Sequence, residues 1–301
     1  MTILITGGSG ALATDFCSYY FSTPPPEPVV LLDTIPSDLA NATNSRLLTF
    51  IQADCADFDS LEVIFKSHSF TRVLHFAGSM DSGTQGFMSN VVSTLNIVKL
   101  CEKNGLPKIF YPQSFLTRDC SKEINETSDA TNLESEYAIL KLTAELYLQM
   151  YKGPYTVGIV SSSVSPTLSI GPIPAFARRI NNGEGITISD TERDYISPMS
   201  CAHAIDLSSR PSFTGSLVVI GSGVSTHTKD LALGVCRILG VEPSLPEVSA
   251  PKPGDPKRVR FNPSRALVDL GWKPRSFSTE DISVVVERSL KSMGKIRQHH
   301  V

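Results

Sequence analysis

A doubly wound α/β fold, with a Rossmann-type parallel sheet followed by a smaller C-terminal substrate-binding α/β domain, is predicted by three features of this chain. Short apolar runs alternate with amphipathic stretches through the first half. The opening run Ile3-Leu4-Ile5 leads straight into the glycine-rich turn Gly7-Gly8-Ser9-Gly10. After Pro166 the sequence changes character, with Pro172, Pro174, Arg178, Arg179 and Arg193 among short apolar pieces. Strands that alternate with helices require parallel βαβ crossovers.

The first strand spans 3–6 and ends in a turn that opens a helix. Gly7 permits the turn, Gly10 lets the backbone approach a pyrophosphate, and small Ala13 allows close helix-strand packing. Amides at the helix start, those of Ala11 and Leu12, then face the phosphates. The proline-rich stretch 23–28 cannot be helical and reads as a rigid surface connection. The second strand, 29–32, ends at Asp33, about 20 residues past the glycines, where a carboxylate accepts hydrogen bonds from an adenosine ribose. The same carboxylate repels a 2′-phosphate. No Arg or Lys stands among Thr34, Ile35, Pro36 and Ser37, so the predicted cofactor is NAD rather than NADP.

Further strands are predicted at 47–52, 73–76, 109–111 and 157–161, with helices at 87–103 and 136–151. The second of these helices carries Tyr137 and Lys141 one turn apart on one face. A phenol, with its ordinary pKa near ~10, serves as a base only where positive charge stabilises the phenolate. Bringing that pKa to about 7 takes roughly 4 kcal/mol, to which the Lys141 ammonium contributes. Ser114, after the fifth strand, shares the proton of a substrate hydroxyl. A dinucleotide turn, a Ser at the fifth strand's end and a Tyr-x-x-x-Lys helix, in that order, compose one catalytic constellation. Later, a strand at 217–220 and a helix at 229–239 resume the apolar pattern and are expected to return to the main sheet. The division this gives is 1–165 for the cofactor, with a return segment at about 200–240, and 166–301 mainly for the substrate. The tail 295–301 reads as polar and frayed.

With 301 residues, 41% of them hydrophobic and 19% charged, the chain can bury a full core. A net charge of -3 provides no global basic field for nucleic acid or an anionic membrane, so an anionic substrate needs a local basic pocket. Cys17, Cys55, Cys101, Cys120, Cys201 and Cys236 are scattered without zinc or redox spacing, and no metal site is expected. Met1 leads straight into a strand and no run approaches ~18 apolar residues, which predicts a cytoplasmic protein with reduced thiols.

On these motifs the chain resembles, over nearly its whole length, the extended short-chain dehydrogenase/reductases, specifically the NAD-dependent nucleotide-sugar epimerase/dehydratase family. Thr6-Gly7-Gly8-Ser9-Gly10 with Ala13 is similar to the family's cofactor turn, Asp54-Cys55 to its adenine-contacting pair, and Phe76-Ala77-Gly78 to its fourth-strand end. Asn90 is similar to its asparagine near the cofactor. The resemblance implies that Ser114, Tyr137 and Lys141 are the catalytic trio, that Lys141 also bonds the nicotinamide ribose, and that Glu145 completes the helix pattern. Arg193-Asp194-Tyr195-Ile196 resembles the substrate-diphosphate segment, and the stretches 253–256 and 270–274 the C-terminal signature, with Lys252, Asp255 and Arg258 as further contacts. A nucleotide-diphosphate sugar is the implied substrate, and a homodimer through the two long helices the implied assembly.

Several positions depart from the family's pattern. The stretch from Gly78 to Asn90 is short, which assigns Ser79, Met80 and Ser82 to the sugar pocket. Ile159 and Ser162 stand where many members have Arg and Asn, and Ser165 replaces a glycine. After Ser114 come Phe115, Leu116 and Thr117 rather than the carboxylates of dehydratases. The missing carboxylates favour C4 epimerisation through a transient 4-keto sugar. A dehydratase or keto-sugar reductase would use the same trio, and an NAD-binding protein without turnover would keep the fold.

Overall fold

The computed structural model describes residues 2–23, 27–36, 39, 46–130, 133–168, 170–242, 246–251 and 255–291. The proline run at 24–26, Lys252 and the tail 295–301 lie outside the described residues. Five strands, β1 (Thr2–Thr6), β2 (Val29–Asp33), β3 (Leu48–Gln52), β4 (Phe70–His75) and β5 (Lys108–Ser114), join Tyr155–Val160 and Leu217–Ile220 in one sheet. From one edge the order is Leu217–Ile220, Tyr155–Val160, β5, β4, β1, β2, β3. Every pairing in it is parallel. The chain leaves β1 toward β2 on one side and later returns to β4 on the other, so a crevice opens beyond the carboxyl ends of β1 and β4.

Burial on both faces explains the nearly uninterrupted apolar runs of β1 and β2. Successive side chains of a strand point to opposite faces. Leu4, Val30 and Leu32 accordingly pack with Ile97, Leu100, Ala144 and Leu148 on one face. Ile3, Ile5, Val29 and Leu31 pack with Phe16, Cys201 and Ile205 on the other. Each such side chain, fully buried, contributes roughly 1.5–3 kcal/mol. Asp57 accepts from the amides of Asp59 and Ser60 to start the helix Phe58–Ser67. The next helix runs from Gly83–Phe87 through a π turn at Met88–Val92 into Ser93–Lys103.

Helix Pro198–Ser209 packs against Ala11–Tyr20, and Leu217–Ile220 joins the sheet edge. The helix Thr228–Ile238, expected to return with that strand, packs instead with Pro172–Asn181 and Thr279–Lys291. Its stripe of Leu231, Ala232, Val235 and Cys236 meets Ile173, Phe176, Val285 and Val286 in a separate core. The strand Leu217–Ile220 has no room for it: Val218 and Ile220 are already covered on one face, and Val219 is covered by Ile124, Val259 and Phe261 on the other. Glu192–Ile196 pairs with Ser162–Ser163 and with Ser225–His227, which brings Arg193 to the edge of this second core. All six cysteines are free thiols. Among the described residues no helix is long and apolar enough to cross a membrane.

Candidate active site

Gly7 adopts φ +66°, and a Cβ there would lie 2.7 Å from Ala77 N and from the Phe76 carbonyl carbon, so only glycine lets β1 end this close to β4. No side chain caps the helix Ala11–Tyr20 at Gly10, which leaves its first amides to an anionic ligand. Asp33 Oδ2 accepts from Ser9 N at 2.9 Å and Oδ1 from Ile35 N at 3.1 Å. Thr34 Oγ1 adds a long bond to Oδ1 at 3.5 Å, and of the about four acceptor sites of a carboxylate this leaves one, on Oδ2, for a ligand. Gly7, Asp33, Asp54, Cys55, Ala77 and Gly78 line one cavity of about 130 Å³. Asp54 is braced by Ala56 N at 2.8 Å. The Cys55 thiol, pushed up to about 12 by burial, is an inert wall. Phe76 follows β4 and donates its amide to Thr6 O at 3.1 Å.

Asn90 sits inside the π turn, where it donates to Ser79 O at 2.8 Å and Gly86 O at 2.9 Å. A Cβ on Gly78 would come within 2.8 Å of its Oδ1. π turns are rare and recur at functional sites. Here the turn sets Ser89 and Ser93 into the cavity wall. The carboxylate of Asp33 at the cavity wall, the uncapped helix amides and a backbone that tolerates no extra carbon fit NAD.

Ser114 ends β5, and the helix Glu136–Gln149 brings Tyr137 and Lys141 beside it. Burial pushes the Tyr137 phenol above its ordinary value, while a hydrogen bond with Ser114 pulls it down. Lys141 Nζ donates to Pro112 O at 2.8 Å and lies 3.9 Å from the centre of the Tyr111 ring. Its burial lowers the pKa to about 7, against the opposing pull of Glu145. Glu145 in turn accepts from Arg118 Nη2 at 3.1 and 3.2 Å and from Gln113 Nε2 at 2.5 Å. Gln113 also donates to Lys141 O at 3.1 Å, which ties the helix to β5.

His75 is fully enclosed, and burial together with the Lys141 charge holds it neutral, its pKa near 3. Thr94 Oγ1 donates to Asn90 O at 2.7 Å, so His75 Nε2 must donate to Thr94 at 3.0 Å. His75 Nδ1 then accepts from Thr6 Oγ1 at 2.7 Å, and Thr6 accepts from Ala77 N at 3.2 Å. One directional chain thus connects the backbone at the cofactor crevice to the π turn.

A second cavity, of about 600 Å³, lies in the C-terminal half, with Met80, Ser162, Arg193 and Asp255 on its wall beside apolar Ile173 and Phe176. Arg193 donates Nη1 to Glu192 O at 2.9 Å and Nη2 to the Asp255 carboxylate. Asp194 faces away and accepts from Ser222 N at 2.8 Å and Gly223 N at 2.7 Å. Ser82 and Arg258, also expected to contact substrate, do not line this cavity, and Lys252 lies outside the described residues. Ser82 precedes the helix Gly83–Phe87. Arg258 pairs with Glu192 at 2.6 Å and lines a different cavity of about 470 Å³, with Asp190, His227 and Lys257. His75, Tyr111, Gln113 and Arg118 were not among the residues expected from sequence, because nothing local links them to Lys141 or Glu145.

A family model described as the NAD dependent epimerase/dehydratase family matches residues 3–221. The UDP-glucose 4-epimerase of Mycolicibacterium smegmatis is 27% identical, over 95% of this chain and 98% of its own length. That of Halalkalibacterium halodurans is 25% identical, over 93% and 92%. Among solved structures, the Bordetella bronchiseptica enzyme WbmG in complex with NAD is similar with a TM-score of 0.85 at 25% identity, covering 98% of this chain and 95% of that one. The dTDP-glucose 4,6-dehydratase of Bacillus anthracis, at 18% identity and a TM-score of 0.85 over 98% of each chain, shares the fold.

Proposed function

The chain belongs to the NAD dependent epimerase/dehydratase family, and on that premise we propose that it is a nucleotide-sugar 4-epimerase acting on a UDP-sugar. The observation that carries this reading is the Ser114, Tyr137 and Lys141 cluster followed by Phe115, Leu116 and Thr117, with no carboxylate there to assist loss of water. NAD, when bound, supplies a hydride acceptor that can return the hydride. Asp33 holds the adenosine ribose, the amides of Ala11 and Leu12 face the pyrophosphate, and Asp54, Cys55, Phe76, Ala77, Gly78 and Asn90 form the wall around it. Lys141 bonds the second ribose and its charge favours phenolate on Tyr137. Ser114 orients the sugar hydroxyl while Tyr137 takes its proton and later gives it back.

Arg193 exchanges its contact with Asp255 for the substrate diphosphate, as a planar guanidinium suits phosphate oxygens. Met80 and Ser162 contact the substrate from the same cavity. Exposed apolar side chains on the two long helices, Phe87 and Met88 on one and Ile139, Leu146 and Met150 on the other, suit a second copy of the chain. Mass and NMR analysis of the products from UDP-glucose and UDP-galactose tests the reading. Interconversion at unchanged mass is expected, and loss of one water would replace epimerase with dehydratase.

A further inference from the structure

Asp15 lies on the helix Ala11–Tyr20, whose first amides face the cofactor crevice, yet its carboxyl takes no part in that crevice. It is 7% exposed, and Oδ1 accepts from Ser165 Oγ at 3.0 Å. Ser165 is 1% exposed, lines the 600 Å³ cavity, and accepts from Thr167 N at 3.3 Å. Oδ2 is buried with no hydrogen-bond partner among the described residues. A carboxylate left in this state would carry an unsolvated charge, whereas a carboxylic acid would not.

We propose that Asp15 is a positioning residue for the substrate cavity, its neutral carboxyl fastening the Ser165 wall of that cavity to the cofactor helix. Among the groups facing Asp15, the hydrogen bond from Ser165 and the charge of Arg288 favour the anion, and burial and Asp281 oppose it. From Pro198–Ser209 comes the Cys201 thiol, itself held neutral by burial. From Thr279–Lys291 come exposed Arg288, which opposes the shift, and Asp281, which adds to it. Burial outweighs them and pushes the Asp15 carboxyl up to about 7. An acid held neutral while the wall is closed, and ionising near its ordinary value once the wall opens, makes opening easier as pH rises. The gain is up to about tenfold per pH unit between about 4 and 7, with none beyond. That the cavity receives the substrate rests on the function proposed above, whereas the latch belongs to the ligand-free protein.

Hydrogen exchange of amides 163–168, corrected for intrinsic rates, tests the latch in ligand-free wild type and Asp15→Asn between pH 5.5 and 8. In wild type, protection is expected to fall by up to tenfold per unit to pH 7 and then level off. Asp15→Asn, neutral throughout, keeps a flat profile. A flat wild-type profile, or the same slope in Asp15→Asn, would overturn the latch. Calorimetry with UDP at pH 6 tests the positioning. Asp15→Ala should weaken UDP severalfold with NAD affinity unchanged, and Asp15→Asn should restore it. Equal UDP affinity in all three proteins would refute the role. A wild type that binds no UDP would instead remove the nucleotide-sugar reading, and the exchange profile would still decide the latch.

Discussion

Glu145→Gln removes one charge from the support beneath Lys141 while keeping the shape of the side chain. Arg118 is 2% exposed and its Nη2 lies 3.1 Å from Glu145, so the substitution leaves a guanidinium buried without its counter-ion. Breaking a buried pair in this way costs about 3–5 kcal/mol. The same carboxylate holds the Lys141 pKa up, so its loss should carry that pKa below about 7 and leave the ammonium charged only at more acid pH. Urea denaturation measures the first effect, and the ratio of kcat/KM at pH 6 and pH 8 the second, which should shift toward the acid side. Arg118→Met combined with Glu145→Gln removes both members and should recover most of the lost stability, because no unpaired charge remains. A single-variant loss below about 1 kcal/mol, or an unchanged pH profile, would refute the reasoning.

Asp33→Ala should weaken NAD and relax its preference over NADP, measured by calorimetry; equal affinities in wild type would mean that the carboxylate does not meet the ribose. Lys141→Met removes a buried amine whose pKa falls from 10.5 to about 7 on folding, so wild-type stability should rise between pH 7 and 10.5, where the unfolded chain binds more protons. The variant should lose that slope in thermal melts and gain at most roughly 5 kcal/mol at neutral pH, with turnover abolished. Arg193→Ala should weaken UDP binding by about 1.5–3 kcal/mol and leave NAD occupancy intact; unchanged UDP affinity would move the diphosphate site elsewhere.

The glycine turn, Asp33 and the Tyr137–Lys141 pair were legible in the sequence because each is a local pattern, fixed by a turn or by one helical repeat. What a helix packs against is not local. The periodicity around Leu231 and Val235 marks a buried face of Thr228–Ile238 but cannot say that the face belongs to the second core. The strand at 109–111 continues to Ser114 through Pro112, which usually argues against a central strand. β4 pairs only as far as Phe110, so beyond that point β5 has one neighbour, and a proline is tolerated on such an edge. The π turn at Met88–Val92 shares the apolar spacing of the α-helix around it. Arg118 and Glu145 are 27 residues apart, and only the fold makes them partners. Arg258 was singled out as a cation near the C-terminal stretch, yet its nearest carboxylate, Glu192, lies on the strand that also carries Arg193.

The central claim is that hydride leaves C4 of the sugar and returns to the same carbon, with Tyr137 moving the proton. UDP-glucose deuterated at C4 tests it in one measurement. The account predicts UDP-galactose of unchanged mass with deuterium retained at C4, and no product from Tyr137→Phe beyond a residual rate about 10²–10⁴-fold lower. Deuterium displaced to another carbon with loss of water, or label retained while Tyr137→Phe stays fully active, would contradict it.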